Sequence, residues 1–169
     1  ENVTAIRAAM ADAVADGKSL YIPSGIYLVN DNFTFDGDWS GLSVFGDGPS
    51  SVIKCANEMD YNGNVEASWT IIIDGASNGA LTAFRISNLV VDGNRTGITN
   101  ISGGNSSMGI VGYQDSDFHN VVVQSCIVRS VKQGSGFYSF AGGIDFIDCE
   151  AYDNDYHGGA TGRSTTIGD

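Results

Sequence analysis

Short β-prone runs recur along this chain at a nearly fixed interval. Leu20-Tyr21-Ile22-Pro23-Ser24-Gly25 is followed 22 positions on by Leu42-Ser43-Val44-Phe45-Gly46-Asp47. Asn120-Val121-Val122-Val123-Gln124-Ser125-Cys126 is followed 23 positions on by Gly143-Ile144-Asp145-Phe146-Ile147-Asp148-Cys149. A repeat of this size marks a solenoid, in which no unit buries its apolar face alone and each must stack on its neighbours.

Most of the candidate strands are three to five residues long: 19–22, 26–29, 32–35, 42–45, 51–55, 69–73, 84–86, 88–91, 109–112, 120–124, 126–128, 137–140, 144–147 and 149–151. They are rich in Val, Ile, Phe and Tyr. No hairpin signal regularly separates them; Asn62-Gly63 is the best isolated case. The 23 glycines are scattered through this β-rich sequence, beside only two prolines, and read as turn residues rather than a linker. A parallel coil is the expected fold, with a β-sandwich as the alternative. Residues 3–15 are the exception. Val3, Ile6, Met10 and Val14 recur at helical spacing and Gly17 supplies the stop, which predicts a helix covering the open end of the first coil.

Two insertions interrupt the period, 56–68 and 93–108. Asn88 to Asn120 then reads as one coil plus a loop of about ten residues; such loops often wall a groove on one face of a solenoid. The 169 residues suffice for one domain with a sizeable core. The expected division is 1–17 as cap and 18–169 as coils. No terminal cap is visible after Thr165-Thr166-Ile167-Gly168-Asp169, so the expectation is the first part of a longer solenoid.

Net charge is −12. That argues against nucleic acid, which needs a basic stripe to displace phosphate counterions. No stretch approaches the roughly 20 apolar residues of a membrane span. Cys55, Cys126 and Cys149 suggest no disulfide framework; Cys126 and Cys149, one repeat apart, read as stacked buried hydrophobes. Sequons at Asn2, Asn32, Asn94, Asn100 and Asn105 are of the kind that this Asn- and Ser-rich composition produces by chance.

Ala8-Ala9-Met10 through Tyr21-Ile22-Pro23-Ser24-Gly25-Ile26-Tyr27-Leu28-Val29 resembles the opening of the pectate-lyase-like superfamily, with its capping helix and Pro-x-Gly-x-Tyr first coil. Leu42 to Gly48 with Val52-Ile53-Lys54, Asn88 to Arg95, and Cys149 to Asn154 with His157-Gly158 are similar to later coils. The resemblance implies an all-β fold, a right-handed single-stranded parallel β-helix with an N-terminal capping helix. It also implies a carbohydrate-active protein: a polysaccharide lyase, glycoside hydrolase, mannuronan C-5 epimerase or phage tailspike depolymerase. Asp92-Gly93-Asn94-Arg95 is closest to the epimerase pattern. The Tyr, Asp and His of that family's catalytic stretch fall on Ser135, Tyr138 and Phe140, so none is retained. Only the position of a groove carries over.

Lyase or epimerase chemistry on a uronate needs a cation at the carboxylate, a base for the C5 proton and an acid opposite. Lys132, Asp155 and His157 are the candidate catalytic residues, Lys132 falling one coil from Asp155 in register with Cys126 and Cys149. Arg129, Tyr138, Tyr152 and Tyr156 are the candidate substrate-binding residues. Against this stands the plainer reading that Asp153 and Asn154 are turn residues capping backbone groups. Asp145, Asp148, Glu150 and Asp153 offer the carboxylate pairs of a hydrolase, with Asp92 and Asp115 to Asp117 nearby. Among 20 acidic residues such pairs arise by chance. Asp153-Asn154-Asp155 spaces oxygen ligands for Ca²⁺, but solvated turn carboxylates fit better and no metal is assigned. The expectation is a polysaccharide partner, outside the cell or on a virion surface; tailspike relatives are trimers and secreted relatives usually single, and no heptad pattern decides between them. The alternative is a non-catalytic structural or receptor-binding β-helix of a virion fibre or adhesin.

Overall fold

The computed structural model describes residues 2–56, 69–98, 108–113, 117–140, 142–156, 159–160 and 167–168. Helix α1 (Asn2–Ala15) opens the chain. The first pass of strands is β1 (Leu20–Ile22), β2 (Gly25–Val29) and β3 (Phe33–Phe35); the second is β4 (Ser43–Gly46), β5 (Ser51–Cys55) and β6 (Trp69–Ile73). After the short β7 (Leu81–Thr82) come β8 (Arg85–Ser87), β9 (Val90–Asp92) and β10 (Met108–Gly112). After β11 (Phe118–His119) come β12 (Val121–Gln124), β13 (Ile127–Arg129) and β14 (Ser135–Ser139). The last are β15 (Ile144–Ile147), β16 (Cys149–Tyr152), β17 (Gly159–Ala160) and β18 (Ile167–Gly168).

Each pass visits three sheets in the same order. The first sheet is β1-β4-β8-β12-β15, the second β18-β16-β13-β9-β5-β2 and the third β17-β14-β10-β6-β3, and β7 pairs separately with β11. Every strand pairing is parallel. Strand alternation turns one row of each sheet inward. These rows are Val44, Ile86, Val123 and Phe146; Ile53, Val91, Val128 and Ala151; and Phe33, Ile71, Ile110 and Phe137. They belong to one continuous buried cluster.

The turn from the first sheet to the second is one left-handed residue wide. Asn88, Ser125 and Asp148 occupy it on successive tiers, with φ of 53°, 50° and 50°. Short polar side chains tolerate that region by bonding locally. The residues that follow, Leu89, Cys126 and Cys149, stack into the core, and Glu150 N–H donates to the Cys126 carbonyl at 3.0 Å. The cysteines are free, buried and on adjacent tiers, as their spacing predicts.

Two register expectations are corrected. Leu20 is level with Val44, not Leu42; Leu42 lies in the preceding turn, its carbonyl accepting from Arg85 N–H. Asn88 is level with Ser125, and Asn120 with Ala83. The two asparagines mark different turns, both of which need positive φ. The sequence pattern predicts no strand at β7, β11, β17 or β18. The Asn62-Gly63 turn and the greater part of both insertions lie outside the described residues.

Helix α1 matches the predicted 3–15. Val3, Met10 and Ala13 are buried, and Ile6 and Val14 pack against the same cluster. Ile6 and Met10 border a small apolar void with Ile22, Phe33 and Val44. The helix therefore covers the first-tier end of the core. It stops where Lys18 N–H donates to the Ala13 carbonyl at 2.7 Å and Gly17 N–H to that of Val14 at 3.0 Å, with Gly17 at φ 64°. Arg7 ties it to the first pass through Asp31 at 2.9 Å.

Candidate functional site

Two parts of the outer surface gather chemistry-bearing side chains. The first is the turn leaving the second sheet. Parallel register puts Lys54, Asp92, Arg129 and Tyr152 in one row. Asp92 is buried; Oδ1 accepts from Asn94 N–H at 2.9 Å and Oδ2 from Arg129 Nε at 3.1 Å. Arg129 Nη1 donates to Tyr152 Oη at 3.3 Å. The bond to Tyr152, then the bond to Asp92, hold this guanidinium above its ordinary pKa against the effect of burial.

Beyond that row, the side chains of 153–155 reach back one tier. Asn154 Oδ1 accepts from Val131 N–H at 2.9 Å and its Nδ2 donates to the Val128 carbonyl at 3.3 Å. Asp153 Oδ2 accepts from Ser130 Oγ at 3.2 Å, and Asp155 Oδ2 from Gln133 N–H at 2.8 Å. Arg95 takes the remaining oxygens. Its Nη1 donates to Asp155 Oδ1 at 3.1 Å and its Nη2 to Asp153 Oδ1 at 2.5 Å. Asp155 first, then Asp153, push the Arg95 pKa up.

Lys132 is level with Asp155, as predicted, but Nζ donates to the Ile98 carbonyl. Among the described residues no ion pair joins Lys132 to Asp155. Tyr152 and Tyr156 are exposed, and Tyr156 N–H donates to the Gly134 carbonyl at 3.1 Å. His157 lies outside the described residues. The turn therefore brings Arg129 to Tyr152, while Tyr138 sits elsewhere. Asp153 and Asp155 face a guanidinium, and Asn154 Oδ1 faces backbone, so this triplet does not fit Ca²⁺. Among the described residues no group of three or more His, Cys, Asp or Glu side chains could hold a metal ion.

Of the carboxylates considered for hydrolysis, Asp115 lies outside the described residues, and Asp145 and Glu150 stand on different sheets. Asp145 points outward from β15, between buried Ile144 and Phe146, and Glu150 points outward from β16 on a different sheet. The sequon residues Asn32 and Asn94 are buried, out of reach of a glycosylating enzyme.

The second place is the outer face of the third sheet. Thr34, Ile72, Val111 and Tyr138 form one row across β3, β6, β10 and β14. The residues two positions on, Asp36, Asp74, Tyr113 and Phe140, form a second row on the same side. They are bonded tier to tier through Asp74 N–H to Phe35 O, Tyr113 N–H to Ile73 O and Phe140 N–H to Gly112 O. Ile72 and Val111 are the buried floor, and Tyr113 and Tyr138 pack on them. Tyr138 meets Phe140 edge-on at 4.6 Å between centroids, and Phe140 is 46% exposed. Thr34, Ile72, Asp74, Ser77 and Tyr113 enclose a groove of about 240 Å³.

Asp74 is 8% exposed. Oδ1 accepts from Ala76 N–H at 2.8 Å and Ser77 N–H at 3.2 Å, and Oδ2 from Ser77 Oγ at 2.8 Å. The wall behind it depends on glycine. A Cβ on Gly37 would lie 2.2 Å from the Asn78 carbonyl oxygen, and one on Gly75 would lie 2.4 Å from that of Asp117. Sequence reasoning found Tyr138 as a candidate substrate-binding residue but missed Thr34, Asp74 and Ser77. The available signal was the shared ending Phe35-Asp36-Gly37 and Ile73-Asp74-Gly75, which closes two strands of one sheet.

No family profile, no curated protein and no solved structure matches the chain.

Proposed function

We propose that the three sheets are the faces of one right-handed parallel β-helix of the pectate-lyase-like kind, and that it binds an extracellular polysaccharide on the outer face of the third sheet. The cyclic visiting order, the single shared core and the recurring left-handed turn residues support the fold. One observation carries the function: the groove beside Thr34, Asp74 and Tyr113, continued across the tiers by Tyr138 and Phe140. Apolar ring faces on a dry floor, beside a few fixed polar groups, suit sugar rings. At about 4.8 Å per tier the strip runs about 14 Å from Thr34 to Tyr138, long enough for a short run of glycan. The setting is outside the cell or on a virion surface, and a homotrimer goes only with the virion case.

Cleavage or epimerisation at Lys132, Asp155 and His157 is the catalytic extension of this reading. The second reading, a non-catalytic structural or receptor-binding β-helix, draws support from Arg95. Its Nη1 and the Gln133 N–H each hold one oxygen of Asp155, so both oxygens of that carboxylate are already engaged within the protein.

The test is affinity electrophoresis of the chain through gels cast with a panel of bacterial and algal polysaccharides. Products are read in parallel by ultraviolet absorbance of unsaturated uronates and by reducing ends. Retardation by at least one polysaccharide, weakened by Phe140→Ala at unchanged melting temperature, is expected. Free migration through every gel overturns the binding reading. Product formation abolished by His157→Ala would establish the catalytic extension.

A further inference from the structure

We infer that the groove on the third sheet takes an uncharged stretch of glycan, not a uronate; this rests on the glycan-binding reading above. The argument starts from what surrounds the sugar. Among the described residues those enclosing the groove are Thr34, Ile72, Asp74, Ser77 and Tyr113, so the formal charge they bring to it is the Asp74 carboxylate. Asp36 is level with Asp74 on the neighbouring tier, in the same outward row. Asn78 Nδ2 donates to Asp36 Oδ2 at 2.9 Å and to Asp38 Oδ2 at 3.2 Å, drawing both carboxylates to the loop that carries Ser77. Asp117 N–H donates to the Gly75 carbonyl at 3.3 Å behind the wall, and its exposed carboxylate lies 3.2 Å from His119 Nε2.

Asp74 thus stands in the groove, with Asp36 in its row and Asp38 drawn to the same loop, on a chain of net charge −12. The cations of the first place belong to the turn before the third-sheet strands begin, and the groove lies where those strands end. Arg95 and Arg129 are moreover committed to Asp153, Asp155 and Asp92. A uronate in the groove would face like charge within a few ångströms, in a partly desolvated setting where such repulsion is strongest. A neutral pyranose meets no such opposition. Its apolar face covers Ile72 and Tyr113. One of its hydroxyls donates to Asp74, whose two oxygens offer about four lone-pair sites, three of them taken by Ala76 and Ser77.

The experiment compares neutral and uronate polymers on the same chain. Dextran, mannan and galactan are set against alginate and polygalacturonate, at low and high salt. The expected result is retention by a neutral polymer, insensitive to salt, and none by either uronate. Asp74→Asn should weaken the neutral interaction about tenfold or more, because a hydrogen bond to a charged acceptor is lost. Thr34→Lys adds a cation at the rim without touching the turn, and should bring salt-sensitive retention by alginate. Retention of the unaltered chain by uronates alone, weakening with salt, overturns the inference and leaves glycan binding standing. Retention by no polymer overturns both.

Discussion

Arg95 Nη1 lies 3.1 Å from Asp155 Oδ1 while its Nη2 lies 2.5 Å from Asp153 Oδ1, so one guanidinium forks onto two carboxylates that arrive two passes later. Arg95→Ala would leave those carboxylates facing each other. The melting temperature should fall, by more at low salt than at high salt, because the exposed like charges are screened. Arg95→Lys should recover only part of the loss, since an ammonium cannot reproduce the fork. Thermal melts of the three proteins across a salt series check this; equal melting temperatures at low salt would mean that the fork contributes nothing to stability.

The architecture was legible because its periodicity is written in two kinds of residue at once. Cys126 and Cys149 share a tier position in the core, and Ser125 and Asp148 share the left-handed turn before them. Either signal alone misleads. Asn88 and Asn120 look equivalent because the turns they occupy both require positive φ, and only the hydrogen-bond ladder separates them. Leu20 and Leu42 match as letters, yet the level partner of Leu20 is Val44. Apolar identity is shared by all inward positions and does not fix register.

Phe137 is fully buried on the third sheet and meets Phe146 of the first sheet edge-on, with centroids 5.4 Å apart. That contact crosses the core. Phe137→Ala should cost about 3–5 kcal/mol, the usual loss for a buried phenylalanine with incomplete collapse of the void. Phe140→Ala, three positions on and exposed, should cost far less. Urea titration checks this through the midpoints at unchanged slope. Equal losses for the two would mean that the third sheet does not close on the first.

Burial pushes the Cys126 thiol up to about 12, the neighbouring Cys149 adding to the shift, and pushes Cys55 up to about 11 against the hydrogen bond it shares with Thr70. Unfolded thiols ionise near their ordinary value of 9.0. The folded state therefore favours the protonated form. This contribution is complete below pH 9 and is lost as pH rises from there through the folded values. The native chain should lose stability across that alkaline window. Cys55→Ala with Cys126→Ala should show a flatter profile, although it starts less stable at neutral pH. A thiol reagent at neutral pH should modify the intact chain only at its unfolding rate. Prompt modification of all three cysteines would refute the burial assigned to them.

The corner at 153–155 was partly legible, the groove hardly at all. Lys132 and Asp155 come level because 23 positions separate them, the same interval as Cys126 and Cys149. What those side chains bond to was not readable. Arg95 and Ile98 reach them from two passes and one pass earlier, beyond any local pattern. The groove draws Thr34, Asp74 and Tyr113 from three passes separated by insertions of unequal length. Their shared outward direction follows from register and strand alternation, which the sequence spacing does not supply.

The groove wall yields the last prediction. A Cβ on Gly75 would sit 2.4 Å from Asp117 O and 2.8 Å from Asp117 N, both backbone atoms with no rotamer to escape into. Gly75→Ala must therefore separate the loop after β6 from the loop before β11, and Asp74 is the residue displaced with it. Overpacking of this kind costs about 1–3 kcal/mol. Gly79→Ala is the control. Gly79 has φ 90° but open space around its Cβ position, so that variant carries backbone strain of about 1–2 kcal/mol without moving Asp117. The two should lose comparable stability in urea, while glycan retention falls sharply only for Gly75→Ala. If both lose retention in proportion to stability, general loosening accounts for the effect. If Gly75→Ala retains glycan fully, the wall at Asp74 takes no part in binding.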